Sequence, residues 1–152
     1  MTGNNDLIIV LNENIELLKK LDSSINFKII NKIGKKIEIN FDNEQFNRLF
    51  FNLIKNSIES IEEKVKKTNK SLKNIDIEIN QRRDYITVNL IDTGEGFRDK
   101  KTRDIIKPYY TTKEKGTGLG LSIVDKIIND HNGSIKFLNT NNGAKVQIII
   151  PK

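Results

Sequence analysis

Two asparagines one helical turn apart, Asn52 and Asn56, have side chains that could do chemistry together. They lie in the segment 43–65, where Phe50 and Ile54 belong to an apolar stripe at helical spacing, so the segment is predicted to form a long helix. Stacked carboxamides can offer oxygens to a hard cation such as Mg²⁺, which needs few protein ligands when phosphates supply the others. A solvent-facing polar stripe would explain the same pattern without a ligand.

The second candidate is a carboxylate followed by glycines, in Asp92-Thr93-Gly94-Glu95-Gly96, directly after a predicted strand at 85–91. Strand alternation places Asp92 on the buried face, where a carboxylate needs hydrogen-bond donors. Such a residue can cap its own turn. It can also accept the exocyclic amine of adenine, while Gly94 and Gly96 let a flat base lie against bare backbone. Both interpretations remain open from these residues.

The third candidate is the glycine-rich run Gly116-Thr117-Gly118-Leu119-Gly120-Leu121, which opens a predicted helix at 119–130. The free N–H groups of a helix N-terminus attract phosphate. The run lacks the Gly-Lys-Ser/Thr triplet of a Walker loop and does not follow a strand, as a dinucleotide fingerprint would. Lys113 and Lys115 lie just upstream, where they can reach phosphate oxygens or remain ordinary solvated lysines.

The elements that must position these residues alternate along the chain without an internal repeat. The predicted elements are a lead-in helix at 6–21, a strand pair at 25–31 and 36–41, the helix at 43–65 with a polar loop at 66–70, strands at 75–80 and 85–91, an aperiodic stretch at 92–118, the helix at 119–130, and strands at 134–138 and 145–150. This order predicts an α+β fold, a two-layer α/β sandwich. We expect a mixed sheet of about five strands, covered on one face by about three helices.

Composition limits the possible classes of protein. The 152 residues suffice for one domain, and no apolar run approaches the roughly 20 residues that span a bilayer. The absence of cysteine and of a signal-peptide pattern favours a cytoplasmic location. The net charge of +6 comes from lysines interspersed with acids, which is typical of a solvated surface. We therefore expect no nucleic-acid partner.

The motifs, taken together and in this order, resemble those of sensor histidine kinases. The segment 52–60 resembles the asparagine box of that family, and 92–97 resembles its first glycine box. The segment 108–113, Pro-Tyr-Tyr-Thr-Thr-Lys, looks like the aromatic box, and 116–121 looks like the second glycine box. The resemblance spans nearly the whole chain. It is strongest to nitrogen-regulation sensor kinases, within the gyrase, chaperone, histidine kinase and mismatch-repair ATPase superfamily.

The resemblance implies a role for each matched position. Asn56 would ligate Mg²⁺, Asn52 would support the phosphates of ATP, and Asp92 would bind adenine. The segment 97–118 would form a long ATP lid. The remaining nucleotide-binding positions implied by the resemblance are Lys55, Gly94, Gly96, Thr111, Thr112, Lys113, Gly116, Thr117, Gly118, Leu119, Gly120 and Leu121.

Three positions depart from the family pattern. Glu59 stands where many members have a basic residue, so Lys55 would supply the charge. Ala144 follows Gly143 where the family often has threonine. The sole histidine, His131, precedes Asn132-Gly133 and lacks the context of a phosphoacceptor, so it is predicted to be a turn residue at a helix end.

The implied function is an ATP-dependent protein histidine kinase domain that transfers the γ-phosphoryl to a histidine on a separate phosphoacceptor domain. Autophosphorylation on this chain alone is not expected. Residues 1–22 would be a lead-in segment after that domain and 23–152 the catalytic domain, monomeric in isolation, with a response regulator as indirect partner. Any membrane anchor would belong to other parts of the full-length protein. The alternatives are a free-standing serine kinase of the anti-sigma-factor type and a non-catalytic nucleotide- or DNA-binding module. Related ATPases place glutamate at the position of Asn52, which counts against hydrolysis.

Overall fold

The computed structural model describes residues 2–34, 37–69, 72–97 and 119–152. The helices and strands within these ranges are β1 (Thr2–Asp6), α1 (Leu7–Leu18), β2 (Asn26–Asn31), β3 (Glu38–Asp42), α2 (Asn43–Thr68), β4 (Asn74–Arg82), β5 (Tyr85–Asp92), α3 (Leu119–Asp130), β6 (Ser134–Asn139) and β7 (Ala144–Pro151).

The main sheet has five strands in the order β2-β4-β5-β7-β6. The β2–β4 pair is parallel, and the other three pairs are antiparallel. Strands β1 and β3 form a separate two-stranded antiparallel sheet. The predicted mixed sheet of about five strands is therefore confirmed, with β5 at its centre.

The helices cover one face of this sheet. Alternate residues of its three central strands are buried, as expected where one face packs on a core. These residues are Ile75, Ile77 and Ile79 in β4, Ile86, Val88 and Leu90 in β5, and Val146, Ile148 and Ile150 in β7. Helices α1 and α3 both pack against α2. The arrangement is the predicted two-layer α+β sandwich.

Helix α2 is the longest described element, and its ends follow from its sequence. The Asp42 side chain accepts a hydrogen bond from the N–H of Gln45 at 3.0 Å and caps the N-terminus. The helix continues to Thr68, so the loop predicted at 66–70 begins too early. Lys66 and Lys67 suit the negative end of the helix dipole, and Asn69 ends the helix in a left-handed conformation, with φ of 55°.

The N-terminal region differs from its prediction. The helix predicted at 6–21 is shorter, because Asp6 caps it by accepting from the N–H of Ile8 at 2.9 Å. The preceding residues form β1, which the sequence analysis missed because its polar composition carries no strand pattern. Leu7, Leu11 and Leu18 of α1 are fully buried in the common core. The division of the chain at residue 22 remains a prediction.

The two strands predicted as a pair at 25–31 and 36–41 do not pair with each other. Strand β2 lies parallel to β4, whereas β3 pairs with β1. The Asn31 side chain accepts the N–H groups of Ile33 and Gly34, at 3.0 and 3.1 Å, and Gly34 has φ of 77°. This turn directs the chain away from β2. Among the described helices, none has the length and apolar character to cross a bilayer.

Candidate functional site

The polar stripe of α2 leads to the loop that follows β5. Asn52 and Asn56 are half-buried, and Ser60 continues their stripe one turn further along the helix. The Ser60 hydroxyl accepts a hydrogen bond from the N–H of Glu95 at 2.9 Å. The helical face that carries the two asparagines therefore also contacts, through Ser60, the residues after Asp92.

Asp92 ends β5 with only 5% of its surface exposed, which confirms its predicted burial. Its Oδ1 accepts hydrogen bonds from the N–H of Gly94 at 2.8 Å and the N–H of Ala144 at 3.4 Å. The carboxylate thus caps its own turn and also links β5 to β7. An ionised carboxylate has about four lone-pair sites. The turn interpretation and the adenine interpretation are therefore compatible in one residue, and adenine binding remains a prediction.

Close packing explains why this loop and its neighbour contain glycine, without reference to a nucleotide. A Cβ at Gly94 would lie 2.7 Å from the Cβ of Ser60, and a Cβ at Gly96 would lie 2.8 Å from Oδ1 of Asn139. Gly96 also has φ of 78°, which side chains rarely tolerate. A Cβ at Gly143 would lie 2.8 Å from the N of Gly94. Close packing of α2, the loop and the β6–β7 turn therefore requires these glycines.

Charged groups of α2 also hold this loop. Lys67 forms an ion pair with Glu95, with Nζ 2.8 Å from Oε2. Lys64 donates from Nζ to the backbone oxygen of Asn142 in the β6–β7 turn at 2.7 Å. Both lysines lie in the last part of α2, beyond Ser60. This half of the helix therefore contacts both segments that surround Asp92.

Within the described residues, Lys55 makes no contact with this loop. Its side chain is exposed, and its Nζ lies 6.0 Å from the ring centroid of Phe51, at the outer limit of a cation–π contact. Glu59 is half-buried on the stripe of Asn52 and Asn56. The suggested replacement of a basic residue at 59 by Lys55 remains a prediction.

The third constellation is only partly described. The helix predicted at 119–130 is confirmed, and Leu119, Gly120 and Leu121 form its first turn. The nearby candidates Thr111, Thr112, Lys113, Gly116, Thr117 and Gly118 lie outside the described residues, as does the rest of the segment 98–118. A role for the start of α3 in phosphate binding therefore remains a prediction.

His131 follows α3 directly, as predicted, and uses both ring nitrogens within the fold. Nδ1 lies 2.8 Å from the backbone oxygen of Ile127, and Nε2 accepts the N–H of Asp42 at 3.1 Å. The geometry places Nδ1 to donate to this carbonyl oxygen and Nε2 to accept from the backbone. The ring also packs on Phe46, with centroids 4.6 Å apart. The histidine therefore joins the end of α3 to the start of α2, which is a structural role.

Three residues near Asp92 were not assigned a role by sequence reasoning. Ser60 could have been recognised, because it lies four residues after Asn56 on the same helical face. Asn139 could not, because it contacts the loop across 42 residues of sequence. Ala144 was singled out only as a departure from the threonine of the family, and its N–H contact with Asp92, across 52 residues, was not predicted. Such contacts depend on the order of strands in the sheet, which the local pattern does not contain.

The oxygen atoms of these side chains suit the ligands that the motifs imply. A buried carboxylate fixed by two backbone N–H groups can accept an amine of a base, and half-buried carboxamides can offer oxygens to Mg²⁺. The described residues contain no cluster of three or more histidine, cysteine, aspartate or glutamate side chains that could hold a metal. A cation bound here would therefore depend on oxygens of its ligand as well as on protein.

The fold is that of histidine kinase catalytic domains. The structure superposes on the nucleotide-free catalytic domain of histidine kinase ThkA with a TM-score of 0.85 and 26% sequence identity, covering 100% of this chain and 96% of that one. The chain belongs to the family of histidine kinase-, DNA gyrase B- and HSP90-like ATPases, whose sequence profile matches residues 41–152.

Relatives narrow the comparison within this family. The chain is 32% identical over 143 residues to a putative NtrY-like sensor histidine kinase of Rickettsia bellii. This alignment covers 94% of this chain and 22% of that protein. It is 38% identical over 117 residues to sporulation kinase A of Bacillus subtilis, covering 76% of this chain and 18% of that protein. The expected likeness to nitrogen-regulation kinases is confirmed. The chain spans about a fifth of the length of these relatives.

Proposed function

We propose that this chain binds Mg-ATP and serves as the catalytic domain of a two-component sensor kinase. The observation that carries the proposal is the junction of α2 with the loop after β5, where Ser60 joins the stripe of Asn52 and Asn56 to the turn that holds Asp92. Two elements in contact thereby carry a carboxylate for a base and carboxamides for a hydrated cation and phosphates.

Each side chain has a stated task in this proposal. Asp92 selects adenine, because its carboxylate accepts the amine of adenine but faces a carbonyl oxygen in guanine. Asn56 ligates Mg²⁺ through its carboxamide oxygen, and Asn52 donates to phosphate oxygens. When bound, Mg-ATP supplies a γ-phosphoryl group that an imidazole nitrogen of a separate phosphoacceptor domain takes up, with ADP as the other product.

The comparisons support this proposal over its alternatives. The named relatives are sensor histidine kinases and sporulation kinases. The family profile includes Asn52 and Asn56 as well as Asp92. An anti-sigma-factor-type serine kinase and a DNA-binding module lack such support. Because ATP is a cytoplasmic substrate, we place the domain on the cytoplasmic side, with a response regulator acting after the phosphoacceptor.

Calorimetric titration with a non-hydrolysable ATP analogue and Mg²⁺ tests the nucleotide site. We expect wild type to bind the ATP analogue and not the matching GTP analogue. Asp92→Asn separates the two roles of Asp92, because its carbonyl oxygen can still accept the N–H of Gly94 while its amide can point a donor at the adenine amine. We expect about a tenfold or greater loss of affinity in Asp92→Asn and in Asp92→Ala.

Asp84→Ala is the matched control, since Asp84 is an exposed aspartate in the turn at the other end of β5. It should bind as wild type does. Equal binding of ATP and GTP analogues, or unchanged affinity in both Asp92 variants, would contradict the proposed base contact. Absence of any binding at millimolar ligand would contradict the nucleotide site itself.

Phosphoryl transfer is tested by adding the phosphoacceptor domain of the Rickettsia bellii relative and γ-labelled ATP. We expect label on that domain that is lost in acid and retained in alkali, as the P–N bond of phosphohistidine requires. Label that survives acid would instead favour the serine kinase alternative.

A further inference from the structure

Asn139 binds the backbone of a residue 42 positions away. It is the last residue of β6, and its carboxamide faces Phe97. Its Nδ2 donates to the backbone oxygen of Phe97 at 2.6 Å, and its Oδ1 accepts the N–H of the same residue at 2.6 Å. One side chain thus supplies both hydrogen bonds that a neighbouring strand would supply to a residue in an antiparallel pair.

These two hydrogen bonds to Phe97 lie beyond the end of the sheet. Pairing between β5 and β7 ends at Asp92 and Ala144, and Thr93 still donates to the backbone oxygen of Asn74 in β4 at 3.2 Å, so the backbone leaves the sheet after Thr93. Backbone groups that leave a ladder need other partners. The carboxamide of Asn139 provides them at Phe97, five residues after Asp92.

The same strand holds the ring of Phe97. Phe137 and Asn139 lie two residues apart on β6 and therefore point to the same face. The rings of Phe97 and Phe137 meet edge to face, with centroids 5.4 Å apart, and Phe137 is buried. Both the ring and the backbone of Phe97 are thus fixed by one face of β6.

The turn after β6 is itself fixed, which keeps Asn139 in place. The N–H of Thr140 donates to the oxygen of Gly143 at 2.9 Å, and the Thr140 hydroxyl accepts the N–H of Gly143 at 3.0 Å. On its other side, the loop is held by Ser60 through Glu95. The Gly94–Gly96 turn therefore lies between an anchor on α2 and an anchor on β6.

We propose that Asn139 is a positioning residue for nucleotide binding, which fixes Phe97 and so holds the Gly94–Gly96 turn in its binding conformation beside Asp92. The inference rests on the proposed function. Without the carboxamide, the turn would populate other conformations, and apparent affinity falls in proportion to the population that can bind. The loss of two hydrogen bonds predicts about a tenfold weaker affinity for the ATP analogue.

The test compares Asn139→Ala and Asn139→Asp with wild type by titration with the ATP analogue and Mg²⁺. Amide hydrogen exchange at Phe97 and the thermal midpoint are measured on the same samples. Asn141→Ala is the matched control, because Asn141 is an exposed asparagine of the same turn. We expect weaker binding and faster exchange at Phe97 in both Asn139 variants, with midpoints close to wild type and an unchanged control.

Asn139→Asp tests whether the donated hydrogen bond is the one that matters, and affinity that falls at an unchanged thermal midpoint is the result that a merely structural role would not give. Its ionised carboxylate can accept from Phe97 but cannot donate, whereas a protonated carboxyl can do both. The affinity ratio between wild type and Asn139→Asp should therefore approach one as pH falls from about 7 towards about 4, near the ordinary pKa of an aspartate carboxyl group.

The outcomes separate this inference from the proposed function. If wild type binds the analogue and both Asn139 variants bind equally well despite faster exchange at Phe97, the positioning role is wrong and the nucleotide site stands. If affinity and thermal midpoint fall together in the Asn139 variants, the role is structural and the inference also fails. If wild type binds no nucleotide, the proposed function fails first.

Discussion

At the scale of single residues, the role proposed for Asn52 bears on whether the phosphoryl group would be transferred to a protein or to water. It is half-buried on the stripe of α2 that leads to the loop of Asp92. A carboxamide cannot take a proton and therefore cannot act as the general base that activates water. Transfer to an imidazole needs mainly position and charge, so this residue is compatible with kinase chemistry.

We therefore expect slow intrinsic hydrolysis, on the order of 10⁻² s⁻¹ or slower. Asn52→Ala should weaken nucleotide binding without removing a catalytic base, so phosphate release at saturating ATP should change little. Release is followed continuously, with Asn12→Ala on the exposed face of α1 as a control. Brisk turnover that Asn52→Ala abolishes would contradict this assignment.

The residue scale is also where sequence reasoning was most and least informative. The burial of Asp92 followed from strand alternation alone, because every second residue of β5 faces the core. The requirement for glycine at position 94 was not predictable, because it comes from the close packing of Ser60, which lies on another element. Local periodicity predicts which way a side chain points, whereas its neighbour depends on packing between distant segments.

At the scale of elements, His131 joins two helices that the sequence separates by fifty residues. We expect His131→Phe to lower the free energy of unfolding by about 1–3 kcal/mol, because it can keep the ring contact with Phe46 while losing both hydrogen bonds. Urea unfolding measures the effect. A Phe variant as stable as wild type would mean that the bonds to Asp42 and Ile127 contribute nothing net.

Helix α2 also carries a group that lowers stability at neutral pH. Burial raises the pKa of Glu62, and the nearby charges of Asp22 and Glu59 raise it further. Because the pKa in the folded state exceeds that in the unfolded state, the folded protein loses stability as pH rises through this range. Glu62→Gln removes the cost.

We expect Glu62→Gln to be more stable than wild type at about pH 7, by about 0.5 kcal/mol or less because the group is largely solvated. The difference should vanish near pH 3, below both pKa values, where Glu62 is neutral in both states. Urea midpoints at the two pH values provide the measurement. Glu13→Gln, on the exposed face of α1, controls for the loss of a charge.

The bounds of most elements could be predicted, whereas some partners could not. Helix α3 was predicted to the residue, and β4, β5 and β7 to within two residues, because apolar periodicity marks them clearly. The predicted pairing of β2 with β3 was wrong. Adjacent strands often form hairpins, but here the turn at Asn31–Gly34 sends β3 to β1, and β2 gains its partner only after α2.

At the scale of the whole molecule, α1 belongs to the core on which the site depends. Five of its apolar residues are buried, Leu7, Val10, Leu11, Ile15 and Leu18. Removing residues 1–22 should expose the matching face of α2. At about 1.5–3 kcal/mol for each buried side chain, the loss approaches the whole stability of a typical domain.

We therefore expect the fragment 23–152 to be unfolded or aggregated, as measured by size-exclusion chromatography and near-ultraviolet circular dichroism. Removing residues 1–5 deletes most of β1 but keeps the Asp6 cap, and this control should remain folded. A stable, cooperative fragment 23–152 would instead confirm that the domain begins at residue 23.

The position of His131 has a practical consequence for watching this molecule at work. The chain has one histidine, so the imidazole carbon-bound protons form a spectroscopic label that needs no assignment. Because the ring lies between the end of α3 and the start of α2, its chemical shifts report the docking of α3. A nucleotide that engages the opposite end of α3 and shifts the helix would therefore be visible in a one-dimensional proton spectrum of the unlabelled protein.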